Sequence, residues 1–164
     1  MYRKISILLC MLLMLPLLLS CGSTRKDFLS GLEGDFVCLA RGEVGGKPFS
    51  ATIHASGRVV YASPKQLCGI IASEDGETLT LGDLTMSAPS LVGLFVPARL
   101  MCDGYEVLAS GTEGGVCYVD GANVSGSRRV YVTKDGLPCR VVGDFCGIHA
   151  DFEVVNCQSE STHK

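Results

Sequence analysis

The chain has 164 residues, with 14 Lys and Arg against 17 Asp and Glu, 20 glycines, nine cysteines and no tryptophan. That is a one-domain length, and a net charge of −3 argues against a nucleic-acid partner, because phosphate binding needs an excess of Lys and Arg. Few aromatic residues and many glycines point to turns rather than to a large aromatic binding platform.

The chain opens with Arg3 and Lys4 ahead of "ISILLCMLLMLPLLL", which carries no charge. A short cationic start followed by an apolar run is the order of an export signal. The run is shorter than the ~20 residues of a spanning helix. It stops at Leu18-Leu19-Ser20-Cys21, which resembles the bacterial lipobox. The resemblance implies that the Cys21 thiol receives a diacylglyceryl group and that residues 1–20 are removed. Each buried methylene of such chains contributes ~0.8 kcal/mol, and two or more chains give stable anchoring. The expected address is therefore the extracytoplasmic face of the cell membrane, with the protein held by lipidated Cys21. Gly22 in place of an Asp favours the outer membrane if the cell has two. Loss of Arg3 and Lys4 with the signal makes the remainder more acidic.

Residues 21–27 are a short polar tether, and residues 28–157 read as one domain. Residues 26–32 suit a short helix stopped by Gly34. Period two then takes over. Phe36, Cys38 and Ala40 share one parity, as do Phe49, Ala51 and Ile53 after the turn at "GGKP". Ser56-Gly57 is a turn before "RVVYAS", and Pro64 in "SPKQLCG" breaks the pattern, because proline cannot donate to a ladder. "IIAS" and "ETLTLGDLTM" are joined by Asp75-Gly76, a hairpin signal. Leu79 and Leu81 face one way and Thr78 and Thr80 the other. "SAPSLVGLFVPARLMC" changes period. Leu91, Leu94 and Phe95 recur at helical spacing, and Pro97 is expected to end or kink a helix. Strands resume at "YEVLAS", "GVCYV" and the "RRVYVTKDGLPCRVV" hairpin. In the last strand Ile148, Ala150, Phe152 and Val154 alternate with His149, Asp151 and Glu153. The expectation is eight to ten strands in a meander, one apolar helical insertion and a polar tail at 158–164.

This order of parts, with "YASPKQLCGI", "EDGETLTLGDL" and "KDGLPCRV…DFEV", resembles small lipoproteins of Gram-positive anaerobes whose fold is like that of the outer-membrane lipoprotein carrier LolA. The resemblance covers most of residues 26–157. It implies an α+β, mostly β fold: a curved antiparallel half-barrel with short helices packed on its concave face. In the carriers that face holds acyl chains. This chain is shorter and carries its own anchor, so a shuttle role does not follow. Other members of the fold serve as scaffolds for envelope or spore proteins.

Catalytic chemistry finds little support. There is no Gly-x-Ser-x-Gly. "GEVGGK" lacks the Ser or Thr and the helix of a phosphate loop. Cys146 and His149 lack a partner acid for thiolate catalysis. Asp151 and Glu153 read as a solvated strand face, and His54, His149 and His163 as surface residues. The sharpest metal candidate, Cys139, Cys146, His149 and Cys157, has spacings that match no usual zinc pattern. We expect no enzyme, cofactor or metal. Seven thiols remain once Cys21 is lipidated, an odd number that cannot pair fully within one chain. Mostly free, buried thiols are the leading expectation, with one or more disulfides the alternative.

Two functions compete. In the first, the concavity binds a lipid or other apolar ligand, lined by Phe49, Ile53, Leu79, Leu81, Leu91, Leu94 and Phe95. In the second, the core is filled and the domain is an interaction scaffold for an envelope protein.

Overall fold

A computed structural model of the chain describes residues 36–159. The signal segment, Cys21, the expected helix at 26–32 and His163 lie outside the described residues. Eleven strands form one antiparallel sheet: β1 (Phe36–Val44), β2 (Lys47–His54), β3 (Val59–Ser63), β4 (Ile71–Ala72), β5 (Thr78–Leu81), β6 (Leu84–Ser87), β7 (Glu106–Glu113), β8 (Val116–Asn123), β9 (Gly126–Val132), β10 (Pro138–Phe145) and β11 (Ile148–Ser159). The spatial order is β6-β5-β4-β3-β2-β1-β11-β10-β9-β8-β7. The sheet is thus two meanders that share a central seam, where the first strand pairs with the last. It stays open, with β6 and β7 as its edges, which is the half-barrel architecture expected.

The strand count exceeds the expected eight to ten. Gly82 turns the chain inside "ETLTLGDLTM" and splits it into β5 and β6. Gly82 has φ +59°, a left-handed conformation that glycine adopts without steric cost. The turns at Asp75-Gly76 and Asp135-Gly136 join β4 to β5 and β9 to β10, at the places the sequence marks.

Period two decides what lies inside. Phe36, Cys38, Ala40, Phe49, Ala51, Ile53, Ala150, Phe152 and Val154 are all buried on one face, joined by Val59, Tyr61, Val130, Val132 and Val141. The central strands offer small residues there: Cys38, Ala40, Ala51 and Ala150. This leaves room above them for the segment that crosses from β6 to β7. That segment holds a 3-10 turn (Val92–Leu94) and helix α1 (Val96–Cys102). Val96, Pro97, Ala98, Leu100 and Met101 are buried, and α1 packs on β10, β11 and β2. A Cβ at Gly143 of β10 would come within 3.0 Å of a Leu100 methyl, so the glycine lets the helix approach.

Pro97 neither ends nor kinks this helix. It sits in the first turn, where its missing N–H has no intrahelical partner to lose and its fixed φ suits the helix. The other end of α1 is tied down by Arg128, whose guanidinium donates to the carbonyls of Leu100 and Met101 and lies 4.2 Å from the centre of the Tyr105 ring. Burial pulls the Arg128 pKa below its ordinary value. Arg99 pairs with Asp103 at 3.1 Å and donates to the Asp75 carbonyl at 3.0 Å. A Cβ at Gly76 would lie 1.9 Å from that guanidinium, so the turn glycine makes the contact possible.

Cys38 and Cys157 stand opposite each other on β1 and β11 and form a disulfide with a Cα separation of 4.1 Å. Cys68, Cys102, Cys117, Cys139 and Cys146 are free. Most of the described thiols are thus free, as expected, but they are half-buried or exposed rather than buried; the fully buried cysteine, Cys38, is the one in the disulfide. No helix among the described residues is long and apolar enough to cross a membrane.

Candidate functional site: an apolar cleft on the concave face

The helix fills only part of the concave face. At the end where β1 runs into β2 and where β11 begins, a cleft of about 410 Å³ remains. Val44, Pro48 and Phe49 come from the β1–β2 hairpin, Tyr61, Pro64 and Leu67 from β3 and the loop after it, Leu91, Gly93 and Leu94 from the crossing segment, and Ile148 from β11. The volume falls in the ~300–1,000 Å³ range of small-molecule sites. Among the described residues Lys47 is the one charged side chain on its wall.

Tyr61 and Phe49 set the floor. Phe49 meets Tyr61 edge to face at 6.3 Å and Phe152 at 5.7 Å. The Tyr61 hydroxyl donates to the Leu94 carbonyl at 2.8 Å, so the phenol's polar end is satisfied and the ring is left as wall. Burial raises the Tyr61 pKa far above its ordinary value; it stays a neutral donor. The bond also fixes the 3-10 turn to β3, which sets the cleft's width.

Of the seven residues expected to line a ligand site, Phe49, Leu91 and Leu94 stand on the cleft wall. Ile53 and Leu79 belong to the packed core of the sheet at 0% and 5% exposure, and Phe95 is the crossing segment's own contribution to that core at 2%. Leu81 is 49% exposed. It has the inward parity of Leu79 but lies next to the sheet's edge, beyond the cover of α1. Tyr61, Leu67, Gly93 and Ile148 were not among the expected lining residues. The inward parity of Tyr61 and Ile148 is visible in their strands, whereas nothing in "SPKQLCG" shows that its loop folds back over β3.

The metal candidate set aside on its spacings, Cys139, Cys146, His149 and Cys157, is not a cluster in space either. Cys157 is in the disulfide, Cys146 is in the β10–β11 turn with φ +50°, and His149 faces Asp144 at 3.2 Å. Among the described residues no group of three or more His, Cys, Asp or Glu is placed to hold a metal ion. Cys102 donates to the His54 carbonyl, and burial pushes its pKa up to about 11. That is the state of an inert thiol, since the thiolate is the nucleophile.

A depression of about 530 Å³ on the opposite face is lined by Glu113, Tyr131, Arg140 and Glu153 among others. Apart from Glu153, its charged groups are engaged with one another or with neighbours. Tyr131 donates to Glu113 at 3.0 Å, Arg129 bonds Asp120 at 2.7 Å and Glu113 at 2.9 Å, and Arg140 holds Asp151 through two bonds of 2.9 and 2.6 Å. Arg140 keeps the Asp151 carboxyl below its ordinary pKa. Polar groups already paired offer less to a ligand than an open apolar wall, so the concave cleft is the better candidate despite its smaller volume.

No protein-family model and no curated protein sequence matches the chain. Among solved structures, MucB aligns with a TM-score of 0.43 and 10% identity over 86% of this chain and 60% of that one. The chain therefore spans less than two thirds of the MucB chain. An outer membrane lipoprotein-sorting protein domain from Vibrio parahaemolyticus aligns with a TM-score of 0.32 and 8% identity, covering 85% of this chain and 91% of that domain.

Proposed function

We propose that this chain is a non-catalytic binding protein, anchored at the extracytoplasmic membrane face through Cys21, that holds the apolar tail of an amphiphile in the concave cleft. The carrying observation is the wall itself: mainly aliphatic and aromatic side chains, with Ser90 and Lys47 beside them, around about 410 Å³, and a Tyr61 hydroxyl already bonded to a carbonyl. Apolar area removed from water is worth ~25 cal/mol per Å², so an acyl tail gains by entering. Lys47 on the wall selects an anionic head, such as a carboxylate or phosphate.

Gly93 gives the test. Its φ is not left-handed, and a Cβ there would meet a methyl of Ile148 at 3.9 Å, in ordinary contact across the cleft. Gly93→Leu should fill the cleft without backbone strain. Binding of a fluorescent fatty acid should fall at least tenfold while the unfolding midpoint stays near that of the wild type. Unchanged binding in a folded variant would remove the cleft from consideration.

A second reading, an envelope scaffold with a filled core, draws on α1. Val96 and Leu100 are wholly buried and occupy the concave face over β10, β11 and β2. Native mass spectrometry of protein extracted from membranes separates the readings: a bound lipid supports the first, and a lipid-free chain with a co-purifying protein supports the second.

A further inference from the structure

The sheet's two edges differ. β7 begins with Glu106, ends with Glu113 and carries a register shift between Val107 and Ala109. Charges and bulges are the devices that guard an edge against pairing. β6 has neither. Its sequence is Leu84-Thr85-Met86-Ser87, uncharged and exposed throughout, and its register with β5 is unbroken. Residues 81 and 84 flank the two-residue loop, so they exchange both ladder bonds, as do Leu79 and Met86. Alternation then turns the N–H and C=O groups of Thr85 and Ser87 outward, two donors and two acceptors with no strand beyond them among the described residues.

The side chains beside this edge are apolar on the concave side. Leu84 is 68% exposed, Met86 55% and Leu81 49%. A Cβ at Gly69, in the loop whose Leu67 lines the cleft, would sit 3.6 Å from a Leu81 methyl. The stripe therefore runs from the cleft rim to the edge. Within residues 71–87 the charges are all acidic, Glu74, Asp75, Glu77 and Asp83, with no Lys or Arg; Arg99, a cation that reaches this stretch, is engaged with the Asp75 carbonyl and with Asp103.

We propose that β6 is a docking edge for an extended segment of a protein partner, which adds as a further strand, packs alternate apolar side chains on Leu81, Leu84 and Met86, and carries Lys or Arg at its ends. Strand addition uses main-chain bonds for affinity and alternate side chains for specificity. A lipid surface fits the leucines but not the backbone, because hydrocarbon cannot satisfy an open sheet edge. A second copy fits poorly. A four-residue edge falls well short of the ~1,000 Å² of a stable interface, and pairing would bring like carboxylates together. The proposal is independent of what occupies the cleft.

The test uses the full chain and a fluorescein-labelled synthetic peptide of alternating valine and threonine between terminal lysines. Thr85→Pro removes one outward N–H and leaves the main-chain bonds to β5, a substitution edge strands tolerate. It also removes the hydroxyl contact between Thr85 and Thr80 at 3.2 Å, so Thr85→Val, which loses that contact alone, should bind the peptide as the wild type does. The peptide should bind the wild type and Gly93→Leu alike, at least tenfold more weakly to Thr85→Pro, and more weakly when glutamates replace its lysines. In the wild type the amides of Thr85 and Ser87 should become protected from hydrogen exchange on peptide addition, a readout that does not depend on the variant folding. Absence of binding, equal affinity for wild type and Thr85→Pro, or binding without protection of those two amides would overturn the proposal.

Discussion

Phe95 decides whether the crossing segment is a fixed plug or a movable cover. It stands between the 3-10 turn and α1, and 2% of it is exposed. It belongs to the same core as Phe49, Ile53, Leu79 and Leu100. Phe95→Ala loses ~1.5–3 kcal/mol of side-chain burial, and every 50 Å³ of void that fails to close adds about 1.2 kcal/mol. Together these give ~3–5 kcal/mol, a large share of the ~5–15 kcal/mol that holds a typical domain together. Leu91→Ala, at a position 47% exposed, should cost ~0.8–1.5 kcal/mol by the same reasoning, since half of that side chain already meets water. Urea unfolding followed by circular dichroism measures both, and the slope should be unchanged if only native stability is affected. If Phe95→Ala costs no more than Leu91→Ala, the segment is not packed as a plug and the account of the core is wrong.

Three further outcomes follow from other parts of the molecule. Cys38 and Cys157 are 119 residues apart in sequence, so replacing both with alanine should cost up to about 5 kcal/mol by loop-closure entropy; thiol alkylation with and without reductant should show two cysteines protected only before reduction. Asp151 has its pKa lowered by Arg140, so its contribution is present above the unfolded carboxyl value, ~3.9, and is lost as pH falls through the lower folded value. The pair is 48% and 39% exposed, which holds the effect below ~1 kcal/mol; Asp151→Asn should flatten that part of an acid titration of stability, and an unchanged profile would count against the pair. Cys21→Ala should abolish incorporation of labelled fatty acid, and incorporation at the wild-type level would refute the anchor.

Much of the sheet is legible in the sequence because burial on one face forces alternation. Phe36 to Ala40, Phe49 to Ile53 and Ile148 to Val154 reveal their inward sides directly, and Asp-Gly pairs mark two hairpins. Parity does not say how far cover extends. Leu79 and Leu81 have the same parity, yet one is in the packed core and the other is beside an open edge. Pro97 carries opposite meanings at the start and in the middle of a helix, and only the helix's beginning distinguishes them. The cleft is less legible still. Its walls come from Val44, Tyr61, Leu67, Gly93 and Ile148, which meet only because the chain's two halves join at β1 and β11. The disulfide has the same origin: no local spacing shows that Cys38 will face Cys157.

That central seam also governs the order in which the domain can be assembled. Each meander pairs neighbours in sequence, contacts that form quickly because the loops between them are short. β1 must keep one side unpaired until β11, the last strand made, reaches it. The face on which α1 rests is likewise divided between β2, which is made early, and β10 and β11, which are made late. A chain made N-terminus first therefore has one side of β1 waiting for residues more than a hundred positions away, and the apolar side of the crossing segment waiting for β10 and β11. While it waits, the unguarded β6 edge is already formed and available to the wrong neighbour. Until β11 arrives, β1 is therefore an open edge as well, one that the finished sheet closes.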